Sequence, residues 1–301
     1  MEIKMKNLLY LLVFALCSHV GAACVDIEAQ PSAVKQGGLF LVTITGPSRA
    51  KNLMCTFAGK QFQSFPSPIL GTDRIIVGCS WDTKVGQHTL EVVGTDCFGS
   101  PFKKVLNIEV LDGKFRQERL RVAKNMAKPP AHLLQRIRNE SRLLRNTLAQ
   151  VSDCKLEGAF LRPIPGIVVS PFGSKRVFNG QVKSRHTGID LRGGMGRPIR
   201  AINSGNVVLA QSLYYAGTTV ILDHGMGLFS LYAHMKDLDV DEGEFVEKGQ
   251  VVGRVGATGR VTGPHLHWGL KLQGMTVNPM DSLKMSLIPG VGESSLIAAA
   301  Q

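Results

Sequence analysis

Between residues 39 and 255 the chain repeats one short pattern: a run of β-branched and apolar residues, then glycine, proline or aspartate. Leu39-Phe40-Leu41-Val42-Thr43-Ile44, Arg74-Ile75-Ile76-Val77, Thr89-Leu90-Glu91-Val92-Val93 and Val105-Leu106-Asn107-Ile108-Glu109-Val110 carry it in the first part. Ile167-Val168-Val169-Ser170, Asn206-Val207-Val208-Leu209, Thr219-Val220-Ile221-Leu222-Asp223, Leu228-Phe229-Ser230-Leu231-Tyr232 and Val251-Val252-Gly253-Arg254-Val255 carry it in the second. Such runs are too short for helices and suit a pleated, half-buried surface, so the chain is predicted to be mainly β. With 301 residues, 44% of them hydrophobic, it can fill two ordinary cores.

The first set of runs predicts an immunoglobulin-like β-sandwich over residues 24–112. That region holds one histidine, His88, with no acidic cluster beside it, and reads as a spacer or binding module. Residues 113–158 change character: Leu133, Leu134, Ile137, Leu143, Leu144 and Leu148 recur at helical spacing behind Pro129-Pro130. They predict a basic helical linker with a helix over about 131–151. Residues 159–284 are predicted to form a second all-β domain, and 285–301 a disordered tail.

The first 23 residues differ from everything that follows. Lys4 and Lys6 precede the apolar run from Leu8 to Leu16, and Gly21-Ala22-Ala23 closes it, as in a secretory signal peptide cleaved near Ala22 or Ala23. The mature chain is then expected in the periplasm or cell envelope. The alternatives are a retained N-terminal anchor or lipidation at Cys24. In an oxidising compartment some of Cys24, Cys55, Cys79, Cys97 and Cys154 should pair, and the absence of a C-x-x-C favours a disulfide over a cysteine metal site. Of the net charge of +12, a surplus of eight falls in residues 113–150. Without aromatic interleaving this excludes a nucleic-acid partner and leaves a solvated basic surface that could meet an anionic envelope.

Five of the eight histidines lie between residues 186 and 267. In Thr262-Gly263-Pro264-His265-Leu266-His267, strand alternation puts both imidazoles on one side and Leu266 on the other. In His186-Thr187-Gly188-Ile189-Asp190 the glycine argues for strand or turn, where the same spacing puts imidazole and carboxylate on one side. Two imidazoles and a carboxylate supply three ligands for a catalytic zinc, leaving a position for water. Ser230-Leu231-Tyr232-Ala233-His234 ends a strand in a further imidazole, of the kind that could move a proton beside a metal. His224, in Asp223-His224-Gly225, reads as a turn residue.

These segments resemble the lysostaphin/LytM-type zinc endopeptidases that cut peptide cross-links in bacterial cell walls. The resemblance runs from about residue 163 to 283 and rests on Ser170-Pro171-Phe172-Gly173, Phe178-Asn179-Gly180, His186-Thr187-Gly188-Ile189-Asp190, Leu231-Tyr232-Ala233-His234, Gly256-Ala257-Thr258-Gly259, Thr262-Gly263-Pro264-His265-Leu266-His267 and Val277-Asn278-Pro279. It implies one Zn2+ per chain on His186, Asp190 and His267, with His265 and His234 as the unligated catalytic pair. It also implies a groove-wall tyrosine, Tyr214 or Tyr215, and a compact antiparallel fold. The implied activity is hydrolysis of peptidoglycan peptide stems through a metal-activated water. The signal peptide and cysteines favour the direct D-amino acid to diaminopimelate bond over glycine bridges. The alternative is a catalytically inactive LytM-type regulator that activates another wall hydrolase, against which all five expected side chains stand. A likeness of Asp241–Gly253 to biotinyl or lipoyl carrier hairpins lacks the modifiable lysine turn. Trp268-Gly269, where many members place a glutamate two residues after the second histidine, alters the groove's rim.

Overall fold

A computed structural model describes residues 25–180 and 182–285; the segment expected to be a signal peptide, Cys24 and nearly all of the expected tail lie outside them. The first part is built from nine strands: β1 (Asp26–Gln30), β2 (Ala33–Lys35), β3 (Leu39–Thr45), β4 (Lys51–Phe57), β5 (Lys60–Gln63), β6 (Phe65–Pro66), β7 (Thr72–Gly78), β8 (Gly86–Thr95) and β9 (Pro101–Leu111). They make a four-stranded sheet, β1-β3-β7-β6, and a five-stranded sheet, β2-β9-β8-β4-β5. Alternation aims Phe40, Val42, Ile44, Ile75 and Val77 of the first at Phe57, Leu90, Val92 and Ile108 of the second. The rings of Phe40 and Phe57 meet edge-on at 5.2 Å between the layers.

The connecting segment is more than a helix. It begins with β10 (Gln117–Leu120), continues through a short helix α1 (Lys124–Ala127) and a 3-10 turn, and ends in α2 (Leu134–Thr147). Leu144 and Leu148 seat this end on Leu209, Leu213, Ile221 and Phe229 of the second part.

That second part contains β11 (Val168–Ser170), β12 (Lys175–Phe178), β13 (Val182–Arg185), β14 (Gly188–Arg192), β15 (Pro198–Arg200), β16 (Gly205–Leu213), β17 (Gly217–Asp223), β18 (Leu228–Leu238), β19 (Phe245–Val246), β20 (Val251–Val255), β21 (His265–Leu272), β22 (Met275–Val277) and a final turn of helix, α3 (Pro279–Ser282). The main sheet runs β11-β14-β21-β18-β17-β16-β19, with antiparallel pairing throughout. A separate three-stranded sheet, β10-β12-β13, has the linker strand β10 parallel to β12.

The two parts share one apolar core. Asn278 donates its backbone N–H to the Gly37 carbonyl at 2.7 Å, and Trp81 lies 6.0 Å from Phe172, which also meets Phe115 of the linker at 6.3 Å. Gly37 is required here: its φ is +81°, and an added Cβ would stand 2.3 Å from the Phe172 ring. Phe172 follows Pro171, whose carbonyl enters the site below, so this junction braces the site from behind. Cys55 and Cys79 do not pair. Both are buried thiols, Cys55 on β4 and Cys79 just past the end of β7, and Cys154 is also free. Burial pushes the Cys55 thiol up to about 12.

Candidate metal and catalytic site

Strand register builds the site. Across four neighbouring strands Ser170 stands opposite Asp190, Asp190 opposite His267, and His267 opposite Ala233, which precedes His234. Directly opposed residues share a face, so Ser170, Asp190 and His267 project together, with His265 two residues earlier on the same side. The close approach depends on Gly188, where an added Cβ would lie 2.3 Å from the Trp268 carbonyl oxygen. His186 arrives from the turn just before β14.

Three donor atoms converge. His186 Nε2 and His267 Nδ1 each lie 2.9 Å from Asp190 Oδ1 and 3.0 Å from each other. The outer nitrogen of His186, Nδ1, is 3.0 Å from the Pro171 carbonyl, which can only accept, so that nitrogen carries its proton outward. Nε2 therefore turns a lone pair towards a carboxylate and a second imidazole. Such a meeting of electron pairs demands positive charge at its centre, from a shared proton or a cation. Burial alone would push Asp190 up, but positive charge shared with His186 and His267 at this centre holds its carboxyl well below the usual carboxylate range. Burial lowers His267, which keeps it neutral and able to ligate.

Two more imidazoles face the same cleft. His234 Nδ1 donates to the Thr258 carbonyl at 2.8 Å and His265 Nδ1 to the Gly263 carbonyl at 2.8 Å, leaving both Nε2 lone pairs for the cleft. Their rings are 5.0 Å apart, and His265 Nε2 is 3.7 Å from Asp190 Oδ1. Burial, with repulsion from His267 and His265, pushes His234 down to about 3, so it remains a neutral base. Its backbone has φ +64°, unusual for a residue with a side chain, and is pinned by N–H donation to Ala216 at 2.8 Å. Tyr215 also lines the cleft, of about 540 Å³. Tyr214 is turned away: it is buried and donates its hydroxyl to the Asn125 carbonyl at 2.8 Å.

The sequence reading missed the layer behind these residues. Arg176 on β12 reaches Asp190 Oδ2, Ser170 Oγ at 2.7 Å and Glu118 Oε2 at 3.2 Å. Ser170 Oγ sits 3.1 Å from His186 Nδ1 and donates to the Glu118 carboxylate at 2.8 Å. Glu118 belongs to β10, so the linker supplies part of the site's support. A guanidinium in the middle holds two carboxylates apart and aims Asp190 Oδ1 at the imidazoles.

His224 lies outside this cleft and is fully buried, bonded to the Ser204 carbonyl and Ser230 Oγ at 2.7 Å each. Burial pushes it down from 6.5 to about 4. Above pH 6.5 it is neutral folded or unfolded; between 6.5 and 4 only the unfolded chain takes the proton, so stability falls as pH falls. The metal-free protein is expected to lose of order 3 kcal/mol over that window from His224. Denaturant melts at stepped pH check this, and His224→Gln, less stable at pH 7, should show a shallower decline.

With this geometry in hand, the likeness to known proteins falls into place. Residues 184–279 match the sequence model of peptidase family M23, so the chain carries an M23 peptidase domain of the lysostaphin/LytM type. Over 95 residues it is 40% identical to the peptidoglycan DD-endopeptidase ShyA of Vibrio cholerae serotype O1, covering 32% of this chain and 22% of that protein. Over 113 residues it is 38% identical to the DD-carboxypeptidase/endopeptidase Mpg of Neisseria meningitidis serogroup B, covering 38% of this chain and 26% of that protein. The match thus spans about a quarter of these curated relatives. A crystal structure of an M23-assigned protein from Pseudomonas aeruginosa superposes with a TM-score of 0.62 at 26% identity, covering 82% of this chain and 93% of that one. That likeness therefore extends beyond the peptidase segment.

Proposed function

We propose that this chain is a zinc-dependent endopeptidase of the cell envelope that hydrolyses peptidoglycan cross-links, between a D-amino acid and diaminopimelate. The observation that carries the reading is the convergence of His186 Nε2, His267 Nδ1 and Asp190 Oδ1 within 3.0 Å, beside two imidazoles with free Nε2 atoms. The donor set fits a catalytic zinc: three protein ligands, a fixed outer hydrogen bond on His186, and an open side facing the cleft. Bound there, zinc would supply an acidified water and an electrophile for the scissile carbonyl. His265 and His234 accept the water's proton at Nε2 and return it to the leaving amine. Tyr215, on the cleft wall, offers a hydroxyl to the carbonyl oxygen.

Residues 24–112 serve in this reading as an immunoglobulin-like module bracing the peptidase, and the basic surplus of residues 113–150 meets an anionic envelope surface. Export through residues 1–23 places the chain where its substrate is. The test uses purified full-length protein, its metal content, and digestion of cross-linked wall of both bacterial types, with products weighed by mass spectrometry. One zinc per chain is expected, with cleavage of the direct cross-link, abolished by EDTA and restored by Zn2+. Cleavage that persists after complete chelation would refute the reading, as would zinc-loaded protein that releases nothing from either wall.

A further inference from the structure

Four arginines reach the cleft: Arg119, Arg176, Arg185 and Arg260. They are not equivalent. Arg119 is solvent-exposed, and Arg176 is committed to Asp190 and Glu118. Arg185 stacks on Trp81 and Phe115 at the junction, with its Nη1 sealed from solvent.

Arg260 is held differently. Its guanidinium carbon lies 4.1 Å from the Phe178 ring centroid and 4.4 Å from that of Tyr215, so two aromatic faces clamp one flat cation. Its backbone N–H donates to the Tyr215 carbonyl at 2.8 Å. The preceding Gly259, at φ +76°, approaches so closely that an added Cβ would lie 2.5 Å from the same oxygen. The side chain is fixed by its faces, and among the described residues no carboxylate forms an ion pair with it. Its N–H edge is left for something that enters the cleft. The loop that carries it also supplies the Thr258 carbonyl that orients His234.

A rigid guanidinium fork with an unused edge is matched by a carboxylate. We propose that Arg260 binds the free carboxylate on the carbon that carries the scissile nitrogen, and so selects the direct cross-link. This rests on the cross-link hydrolase reading. In a direct D-amino acid to diaminopimelate link, the carbon bearing the amide nitrogen also bears a free carboxylate. In a glycine bridge the equivalent carbon bears another amide, which a guanidinium cannot grip in two parallel hydrogen bonds. Arg260 thereby makes the leaving residue's charge a condition of productive binding.

The test uses two muropeptide dimers identical except that this carboxylate is free in one and a carboxamide in the other. Zinc-loaded full-length protein should cleave the free acid about ten- to a hundredfold faster in kcat/KM, mostly through KM. In Arg260→Gln the two rates should converge, and Arg260→Lys should restore part of the preference. Zinc content and melting temperature matching wild type show that the variants are folded. A second arm measures binding of both dimers to His265→Ala, which is not expected to turn them over. If wild type cleaves both dimers alike, or Arg260→Gln keeps the wild-type ratio, the assignment of Arg260 falls and the hydrolase reading stands. If neither dimer is cleaved yet the acid binds tighter and Arg260→Gln in that background abolishes the difference, Arg260 stands and the hydrolase reading falls. Equal binding of acid and amide overturns the assignment whatever the cleavage result.

Discussion

His267→Ala is expected to lose zinc and wall-degrading activity together, whereas His265→Ala keeps zinc and loses turnover by about 10²–10⁴-fold. The difference follows from where each nitrogen points. His267 Nδ1 lies 2.9 Å from Asp190 Oδ1 and 3.0 Å from His186 Nε2, inside the donor triangle, so its removal leaves two ligands. His265 Nε2 is 3.7 Å from the same carboxylate oxygen, outside that triangle, with its proton fixed on the Gly263 side. Removing it deletes a base and leaves the triangle whole. Metal analysis after gel filtration, paired with initial rates on soluble muropeptide dimers, separates the two. Loss of zinc from both variants would place His265 among the ligands. His234→Ala should behave like His265→Ala, with an added change in folding, because its backbone is strained at φ +64° and tied to Ala216.

How much of this was legible before the structure depends on the range of each interaction. Strand periodicity located the β runs, since alternation is written residue by residue, and it put His265 and His267 on one face. The parallel pairing of β10 with β12 was not legible: Gln-Glu-Arg-Leu has no apolar alternation, and its partner lies 58 residues away at Glu118↔Arg176. The same gap hid Glu118 from the site. Arg176 sat inside a recognisable stretch but offered no signal of its own, since a guanidinium's partners are set by three different strands. Tyr214 and Tyr215 are neighbours just past β16 whose rings meet edge-on at 4.9 Å; which of them turns from the cleft is fixed by the Asn125 carbonyl waiting on the linker. His224 lies in the turn between β17 and β18, as Asp223-His224-Gly225 suggests. Its burial was not legible, because the Ser204 carbonyl just before β16 and the Ser230 hydroxyl of β18 that hold it are brought to it by the fold.

The second large effect concerns that supporting layer. Arg176 is 15% exposed and stands between Asp190, 8% exposed, and Glu118, 19% exposed, so it neutralises two carboxylates largely out of water. Arg176→Met removes the only cation that pairs with both among the described residues, while keeping most of the side-chain volume. The like charges then face each other with Ser170 Oγ still donating to Glu118 alone, and the protein is expected to lose about 3 kcal/mol of unfolding free energy. Asp190 also loses the partner that aims its second oxygen, so zinc affinity should fall by about 10–100-fold in chelator competition. Arg176→Lys supplies a charge but not a fork able to reach Ser170 Oγ, Asp190 and Glu118 at once, so it should recover stability more fully than metal affinity. Adding Glu118→Gln to Arg176→Met removes one of the opposed charges and should return part of the lost stability, a coupling that distant sites would not show. Wild-type zinc affinity in Arg176→Met would mean that the imidazoles alone fix the carboxylate. In that case the linker strand braces the fold without reaching the chemistry.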